Sequence, residues 1–350
     1  MNKYFLVFFI AAFMSLIATP IAKILAVKIG AIDVPKDDRR VHRIPVPRLG
    51  GLAIYLGFVI SVVVSVPLDR MILGMLIGGT LIVVMGIVDD IKPLPAKVKL
   101  AGQIICALIL VIFGMRIGKF TIPFTGGELL YVGIFSIPIT IFWVVGITNT
   151  LNLIDGLDGL AAGVAIIAAL SLSYVAHVHI PETGPIGTIT VLMTLAIAGS
   201  AMGFLPYNFN PAKIFMGDTG SLFLGYMLSA ISIYGFIKGA TALATVVPVL
   251  ALGLPIFDTT FAILRRAVNG KPIMEPDKGH LHHRLLSTGL GQKRTVLILY
   301  AVSGIFGISA ALMSTSKLLD SMIILFAASA VMYASIVLRG IQKHKSTNKE

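Results

Sequence analysis

Asn152, Asp155 and Asp158 recur at every third position in the stretch Asn149 to Leu160, between apolar runs at 129–148 and 159–176. A charge at the centre of a membrane helix costs roughly 2.5–3.5 kcal/mol, and less near the interface. These carboxylates therefore need a metal, a substrate or a protein cation. Spacing by three puts each neighbouring pair on one helix face. Gly156 and Gly159 are placed to unwind that helix. Hard oxygen donors of this kind suit Mg²⁺ and not zinc.

Four further constellations carry chemistry. Asp89 and Asp90 close an apolar run of eighteen residues. Adjacent acids repel, so they call for Mg²⁺, a cation or a shared proton, and Lys92 is the nearest cation in sequence. Asp218, in Gly217-Asp218-Thr219-Gly220, reads as the cap of a helix opening at Thr219, and a helix N-terminus favours anions. Phe204, Tyr207, Phe209 and Phe215 before it offer stacking faces for a base, or anchors at a membrane interface. Arg39, Arg40, Arg43 and Arg48 can grip phosphate bidentately, with Gly50-Gly51 allowing close approach behind them. The same loop also reads as an ordinary basic loop touching lipid headgroups. The last constellation joins Arg265 and Arg266 to Asp277, His280, His282, His283 and Arg284. Three histidines in four residues could ligate zinc, but the arginines favour phosphate. His177 and His179 fall on the opposite face and are set aside.

The elements that must position these groups are membrane helices. Over 350 residues the mean hydropathy is +0.95, with 57% hydrophobic and 13% charged residues. A soluble domain carries about 25% charged residues. The net charge of +12 speaks for basic loops on one face and anionic lipid or substrate, not for nucleic acid. The one cysteine, Cys106, lies in an apolar run, which excludes a disulfide framework. The N-terminal apolar segment reads as a retained first span.

A spanning helix needs about 20 apolar residues. Eleven candidate spans fit: 5–22, 49–67, 71–88, 100–115, 129–148, 159–176, 185–205, 219–237, 239–257, 295–313 and 318–338. The expected architecture is an all-α polytopic bundle, one transmembrane catalytic domain over 1–338 with a basic cytoplasmic tail over 339–350. With the N-terminus outside, 22 of the 28 lysines and arginines fall inside, and the C-terminus is cytoplasmic. Twelve of the 16 acids fall on that same side, half of them at span ends: Asp89, Asp90, Asp155, Asp158, Asp218 and Asp258. Acids contribute little to orientation. Their clustering beside the cations suggests a metal-dependent site for an anionic cytoplasmic substrate.

The motifs RRVHRIPVPRLGG, GIVDDIK, NTLNLIDGLDGLAAG, FLPYNFNPAKIFMGDTGSLFLG, and PIFDTTFAILRR followed by PDKGHLHHRLL run in order from Arg39 to Leu286. In this they resemble the polyprenyl-phosphate N-acetylhexosamine-1-phosphate transferases. The HLHH element and span count look more like the undecaprenyl-phosphate N-acetylglucosamine-1-phosphate branch than like lipid I synthase. The resemblance implies transfer of a sugar-1-phosphate from a UDP-N-acetylhexosamine to undecaprenyl phosphate, releasing UMP, with Mg²⁺ or Mn²⁺. It implies a bacterial cytoplasmic-membrane enzyme at the start of an O-antigen, enterobacterial common antigen or teichoic acid pathway, and a homodimer. It casts Asp89, Asp90, Arg266 and His280 as catalytic and Asn152 and Asp218 as metal ligands. Arg43, Arg48, Asn149, Asp155, Asp158, Asn208, Phe215, Asp277, His282, His283 and Arg284 become substrate-binding. Two rival classes are weighed against this. A secondary transporter also uses broken helices with intramembrane acids, but near the midplane. A non-catalytic lipid-binding scaffold would not need the amide–carboxylate sets.

Overall fold

The computed structural model describes residues 3–34, 44–121, 129–236, 243–270 and 280–315. The helices are α1 (Lys3–Ile29), α2 (Gly51–Ser65), α3 (Arg70–Ile91), α4 (Ala96–Ile112), α5 (Ser136–Ile154), α6 (Leu160–Val178) and α7 (Ile180–Thr183). They continue as α8 (Pro185–Asn208), α9 (Gly217–Phe236), α10 (Leu243–Ala251), α11 (Gly253–Val268), α12 (Leu281–Ser287) and α13 (Gln292–Ser314). Two short antiparallel ribbons pair β1 (Ile32–Asp33) with β2 (Val46–Pro47), and β3 (Lys119–Thr121) with β4 (Leu129–Tyr131).

Helix α9 is the axis of the bundle. Every residue from Thr219 to Gly235 is buried, as expected of a helix apolar on all sides. It packs on α2, α3, α5, α6 and α8. Helices in lipid associate through close backbone approach at small residues, and α9 is surrounded by such approaches. A Cβ on Gly51 of α2 would collide with the backbone of Gly220, and one on Gly86 of α3 would collide with Thr219. Within α9, Gly225 lies against Thr148 of α5.

Backbone hydrogen bonds stitch the first loop to the start of α9. Phe215 N–H donates to Pro47 O (2.8 Å). Gly50 and Gly51 donate to Phe215 O and Met216 O (2.9 Å each). The β1–β2 ribbon and Arg48 are thereby fixed beside the α9 N-terminus.

The all-α membrane expectation is met by six described helices long and apolar enough to cross a bilayer: α1, α3, α5 with its short 3₁₀ lead-in from Gly133, α6, α8 and α13. Helix α2 is a shorter apolar helix. The expected run 239–257 is not one helix in its described part. It breaks at Leu252 between α10 and α11. Pro255 has no N–H, so an unbroken helix would leave the Ala251 carbonyl unpaired. The expected run 129–148 begins as strand β4, and its helix extends to Ile154. The span 318–338 and the tail 339–350 lie outside the described residues.

The Gly51–Gly220 approach gives a test. Gly51→Ala is expected to cost about 1–3 kcal/mol by overpacking, seen as a lower thermal midpoint in detergent. Gly146→Ala, in the interior of α5 where a Cβ meets nothing within 4 Å, does not lower the midpoint and raises it slightly, alanine being the better helix former.

Candidate active site

At one end of α9 a carboxylate from α3 caps the helix. Asp90 accepts from the Asp218 N–H (3.0 Å), the Thr219 N–H (3.1 Å) and the Thr219 hydroxyl (2.6 Å). Its side chain is 1% exposed, and the Arg48 guanidinium stands 3.4 Å away. Gly217 adopts φ +70° to pass over this carboxylate, where a Cβ would not fit. Arg48 also donates to the carbonyls of Asp89 (2.9 Å) and Asp90 (3.2 Å). It thus satisfies the C-terminal carbonyls of α3, which have no helical partner.

Asp218 is not the cap expected from sequence. Its own N–H is taken by Asp90, and its carboxylate turns to Lys99 of α4 at 2.9 Å. Lys99 also lies 3.4 Å from Asp89. Asp89 further accepts the Leu94 N–H at 2.7 Å. The acids at 89 and 90 are compensated by Lys99 and Arg48, and Lys92 is exposed.

Beside this cluster lies a cavity of about 300 Å³. Asp33, Arg48, Asn152, Asp155, Asp158, Asp218, Ser221, Phe215 and His283 contribute to its lining. One wall is the turn between α5 and α6. Helix α5 stops at Ile154, and Gly159 takes the left-handed conformation at φ +81°. Asn208 staples this turn, accepting from Gly159 N–H (3.0 Å) and donating to Ile214 O (3.1 Å). Asp158 accepts from Asn210 Nδ2 (2.9 Å) and Ala212 N–H (3.0 Å). Asn152 donates to Ser221 Oγ (2.9 Å), tying α5 to α9.

Among the described residues, no side chain or backbone N–H compensates Asp155 in this way. Burial, then the charges of Asp218, Asp90 and Asp158, push its carboxyl up to about 8. Behind the cavity, His280 Nδ1 is 2.9 Å from Asp258 Oδ2, and Asp258 Oδ1 accepts the Leu281 N–H (2.7 Å). His282 stacks on His280 with ring centroids 5.9 Å apart, and its buried Nδ1 has no hydrogen-bond partner among the described residues. Burial, then neighbouring His283, push His282 down to about 4, so it is neutral at pH 7.

Many of the residues singled out from sequence therefore converge. Arg48, Asp90, Asn152, Asp155, Asp158, Asn208, Phe215, Asp218 and His283 line the cavity, and Asp89 joins them through Lys99. Asn149 does not line it, and its amide is held by Gln103 (2.6 Å) and Val145 O (2.8 Å). Arg266 is buried in the last turn of α11, His280 and His282 stand behind the cavity, and Arg284 is exposed. Arg43 and Asp277 lie outside the described residues.

The whole chain is similar in sequence to polyprenyl-phosphate sugar-phosphate transferases. A probable undecaprenyl-phosphate N-acetylglucosaminyl 1-phosphate transferase of Bacillus subtilis (strain 168) is 42% identical over 347 residues, covering 99% of this chain and 94% of its own. The glycosyl transferase family 4 profile matches residues 72–236, from α3 to the end of α9. The chain belongs to glycosyl transferase family 4. A decaprenyl-phosphate N-acetylglucosaminephosphotransferase of Mycolicibacterium smegmatis is 37% identical over 86% of this chain and 80% of its own. A phospho-N-acetylmuramoyl-pentapeptide-transferase of Moorella thermoacetica is 32% identical over 79% and 87%. The family resemblance read from the motifs is confirmed.

Sequence reasoning missed several residues of this family 4 site. Lys99 was one basic loop residue among many. Its signal was its position ten residues after Asp89, at the start of the next helix. Asp33 and Ser221 line the cavity with no motif that marked them as ligands. Asp258 stands in the motif PIFDTTFAILRR, but its hold on His280 is set by the tertiary structure.

The donor set suits a hard divalent cation. Asn152, Asp155, Asp158 and Asp218 line one cavity with an amide and three carboxylates, and burial raises the Asp155 carboxyl. Among the described residues no three His, Cys, Asp or Glu side chains form a ready metal cage. Mg²⁺ keeps several waters and takes one or two carboxylates plus substrate phosphates, so the residues fit it.

Two variants separate cap from cavity. Asp90→Ala should cost about 3–5 kcal/mol, because it strands the buried partners of a charge. Asp155→Asn has the opposite sign. The folded wild type holds a proton on Asp155 that the unfolded chain releases above its ordinary carboxylate pKa of 3.8. Wild-type stability thus falls as pH rises from about 4 to about 8. Without added metal, the thermal midpoint of Asp155→Asn exceeds wild type at pH 8, and the gap closes towards pH 4.

Proposed function

We propose that the protein transfers N-acetylglucosamine-1-phosphate from a UDP-sugar to undecaprenyl phosphate, releasing UMP, with Mg²⁺ (or Mn²⁺) bound during turnover. The observation that carries this reading is the polar cavity at the α9 N-terminus, walled by Asn152, Asp155, Asp158 and Asp218 and flanked by Lys99 between Asp89 and Asp218. Such a cavity offers cations and hard oxygens to phosphates at one end of an apolar bundle. The near full-length similarity to the Bacillus subtilis relative favours the N-acetylglucosamine donor over the phospho-N-acetylmuramoyl-pentapeptide donor. A midplane transporter site is disfavoured because the acids gather at helix ends.

The chemistry is an in-line displacement. An oxygen of the lipid phosphate attacks the β-phosphorus of the UDP-sugar, and the bond from that phosphorus to the oxygen bridging to UMP breaks. UMP leaves with that oxygen. Asn152 and Asp218 would hold Mg²⁺, which supplies charge neutralisation to the diphosphate when bound. Lys99, oriented by Asp89, places its ammonium at the edge of the cavity, where the two substrates' phosphates meet. The turn 155–159 with Phe215 forms the nucleotide side. His283, backed by His280 and His282, faces the sugar and diphosphate, with Arg266 behind. Phosphate monoesters lose their second proton near pH 6, so the lipid nucleophile is largely dianionic at pH 7. Asp89 then acts by orienting Lys99, and not as an obligatory base.

The same reading puts the site on the cytoplasmic face of a bacterial inner membrane, with the N-terminus outside. Its support is the asymmetry of lysine and arginine. The product would open a cell-envelope polysaccharide or teichoic acid pathway, and the enzyme would work as a homodimer.

Membranes carrying the full chain, given labelled UDP-GlcNAc and undecaprenyl phosphate, should form a lipid-linked product that EDTA abolishes and Mg²⁺ restores. No lipid-linked product with any UDP-sugar would sink the proposal. Lys99→Ala should lower kcat at least about 100-fold, by loss of an electrostatic contact to the transferred phosphate. Asp89→Asn separates orientation from base catalysis. An orienting Asp89 gives the same fractional loss on both sides of pH 6, whereas a base gives a loss confined to the acid side.

A further inference from the structure

The turn that forms the nucleotide side of the cavity is held from outside the cavity. Asp158 Oδ2 accepts from Asn210 Nδ2 (2.9 Å) and from Ala212 N–H (3.0 Å). The same Asn210 nitrogen donates its second hydrogen to Gln292 Oε1 at 2.7 Å. Gln292 is the first residue of α13. Two turns later Tyr300 donates its hydroxyl to Gly159 O at 2.5 Å, and its ring packs where a side chain on Gly163 would sit. The N–H of that same Gly159 goes to Asn208. The left-handed residue of the turn is therefore gripped on both of its backbone polar groups by side chains from two other helices.

Gln292 and Tyr300 are not among the residues lining the cavity, and neither belongs to the motifs that identify the site. An asparagine amide has a donating and an accepting end. With Gln292 accepting, Asn210 must turn its nitrogen to Asp158. Without Gln292 the carboxylate still draws an N–H from Asn210, but the plane of the amide, and with it the line of that N–H to Asp158, is no longer fixed from α13.

We infer that Gln292, acting through Asn210, and Tyr300, acting through Gly159, are positioning residues for donor recognition: α13 sets the orientation of Asp158. The inference rests on the reading above that the Asp158 side of the cavity takes the UDP-sugar. A residue that only supported the fold would alter both substrates alike, whereas one that aims Asp158 alters the donor alone.

The test uses the full chain in nanodiscs. Gln292→Ala raises the KM for UDP-GlcNAc about three- to tenfold, the size of one hydrogen bond, with kcat and the KM for undecaprenyl phosphate within about twofold of wild type. Tyr300→Phe gives the same split. Gln292→Ala adds nothing to Asn210→Ala, because both cut one chain of contacts. Hydrogen exchange without substrate gives an independent readout. The Ala212 amide, which donates to Asp158, exchanges faster in Gln292→Ala, while amides in the middle of α9 are unchanged. An active wild type whose donor KM is insensitive to Gln292→Ala overturns the inference. So does additivity with Asn210→Ala. A wild type inactive with any UDP-sugar overturns the proposed function instead, and unchanged Ala212 exchange then overturns this inference by itself.

Discussion

The structure depends on one carboxylate placed under one helix. Asp90 ends α3 and begins α9, accepting the first free N–H groups of a helix that is buried along nearly its whole length. In lipid those donors would have no water to turn to. The burial of Asp90 is tolerable because every side of it is answered: backbone amides, the Thr219 hydroxyl and the Arg48 guanidinium. A helix N-terminus needs negative charge and a buried carboxylate needs donors, so each resolves the other's cost.

From this cap the site follows. Because Asp90 occupies the α9 N-terminus, the carboxylate of Asp218 is turned outward to Lys99 and the cavity. The first loop can reach the same place only because its backbone pairs with residues 215 and 216, and because Gly50 and Gly51 carry no side chain. The polar groups of the cavity and its flank thus come from α3, α4, α5, α8 and α9 and the turns beside them, on helix ends and not on long free loops. The proposed transfer between two anionic substrates asks for positioning more than for covalent chemistry, which rigid helix ends would provide.

The family 4 match covers α3 to α9, which carry the cap, the lysine bridge and the turn between α5 and α6. Helices α11 to α13 lie beyond it, yet similarity to the Bacillus subtilis relative extends over them. They close the site from behind. Asp258 holds His280, His282 backs Gly156, and α13 reaches the turn through Gln292 and Tyr300.

The sequence alone determined that this is a helical membrane protein, because apolar runs near 20 residues long with few charges admit little else. It also singled out a set of acids and amides. Asp89, Asp90, Asn152, Asp155, Asp158 and Asp218 stand where a lipid-buried chain should not keep polar groups without cause. Only the tertiary structure decided what each one does. Asp90 and Asp218 are 128 residues apart, and no local pattern says that one caps the other's helix. Lys99 looks like any basic loop residue until α4 sets it between two carboxylates. The break at Leu252 was foreshadowed by Pro255, but hydropathy averages over a window and passes across a single missing N–H. Hydrophobic periodicity reports which solvent a segment prefers. Which hydrogen-bond partner a buried polar group finds depends on helices far away in the chain, and that becomes fixed only when they pack.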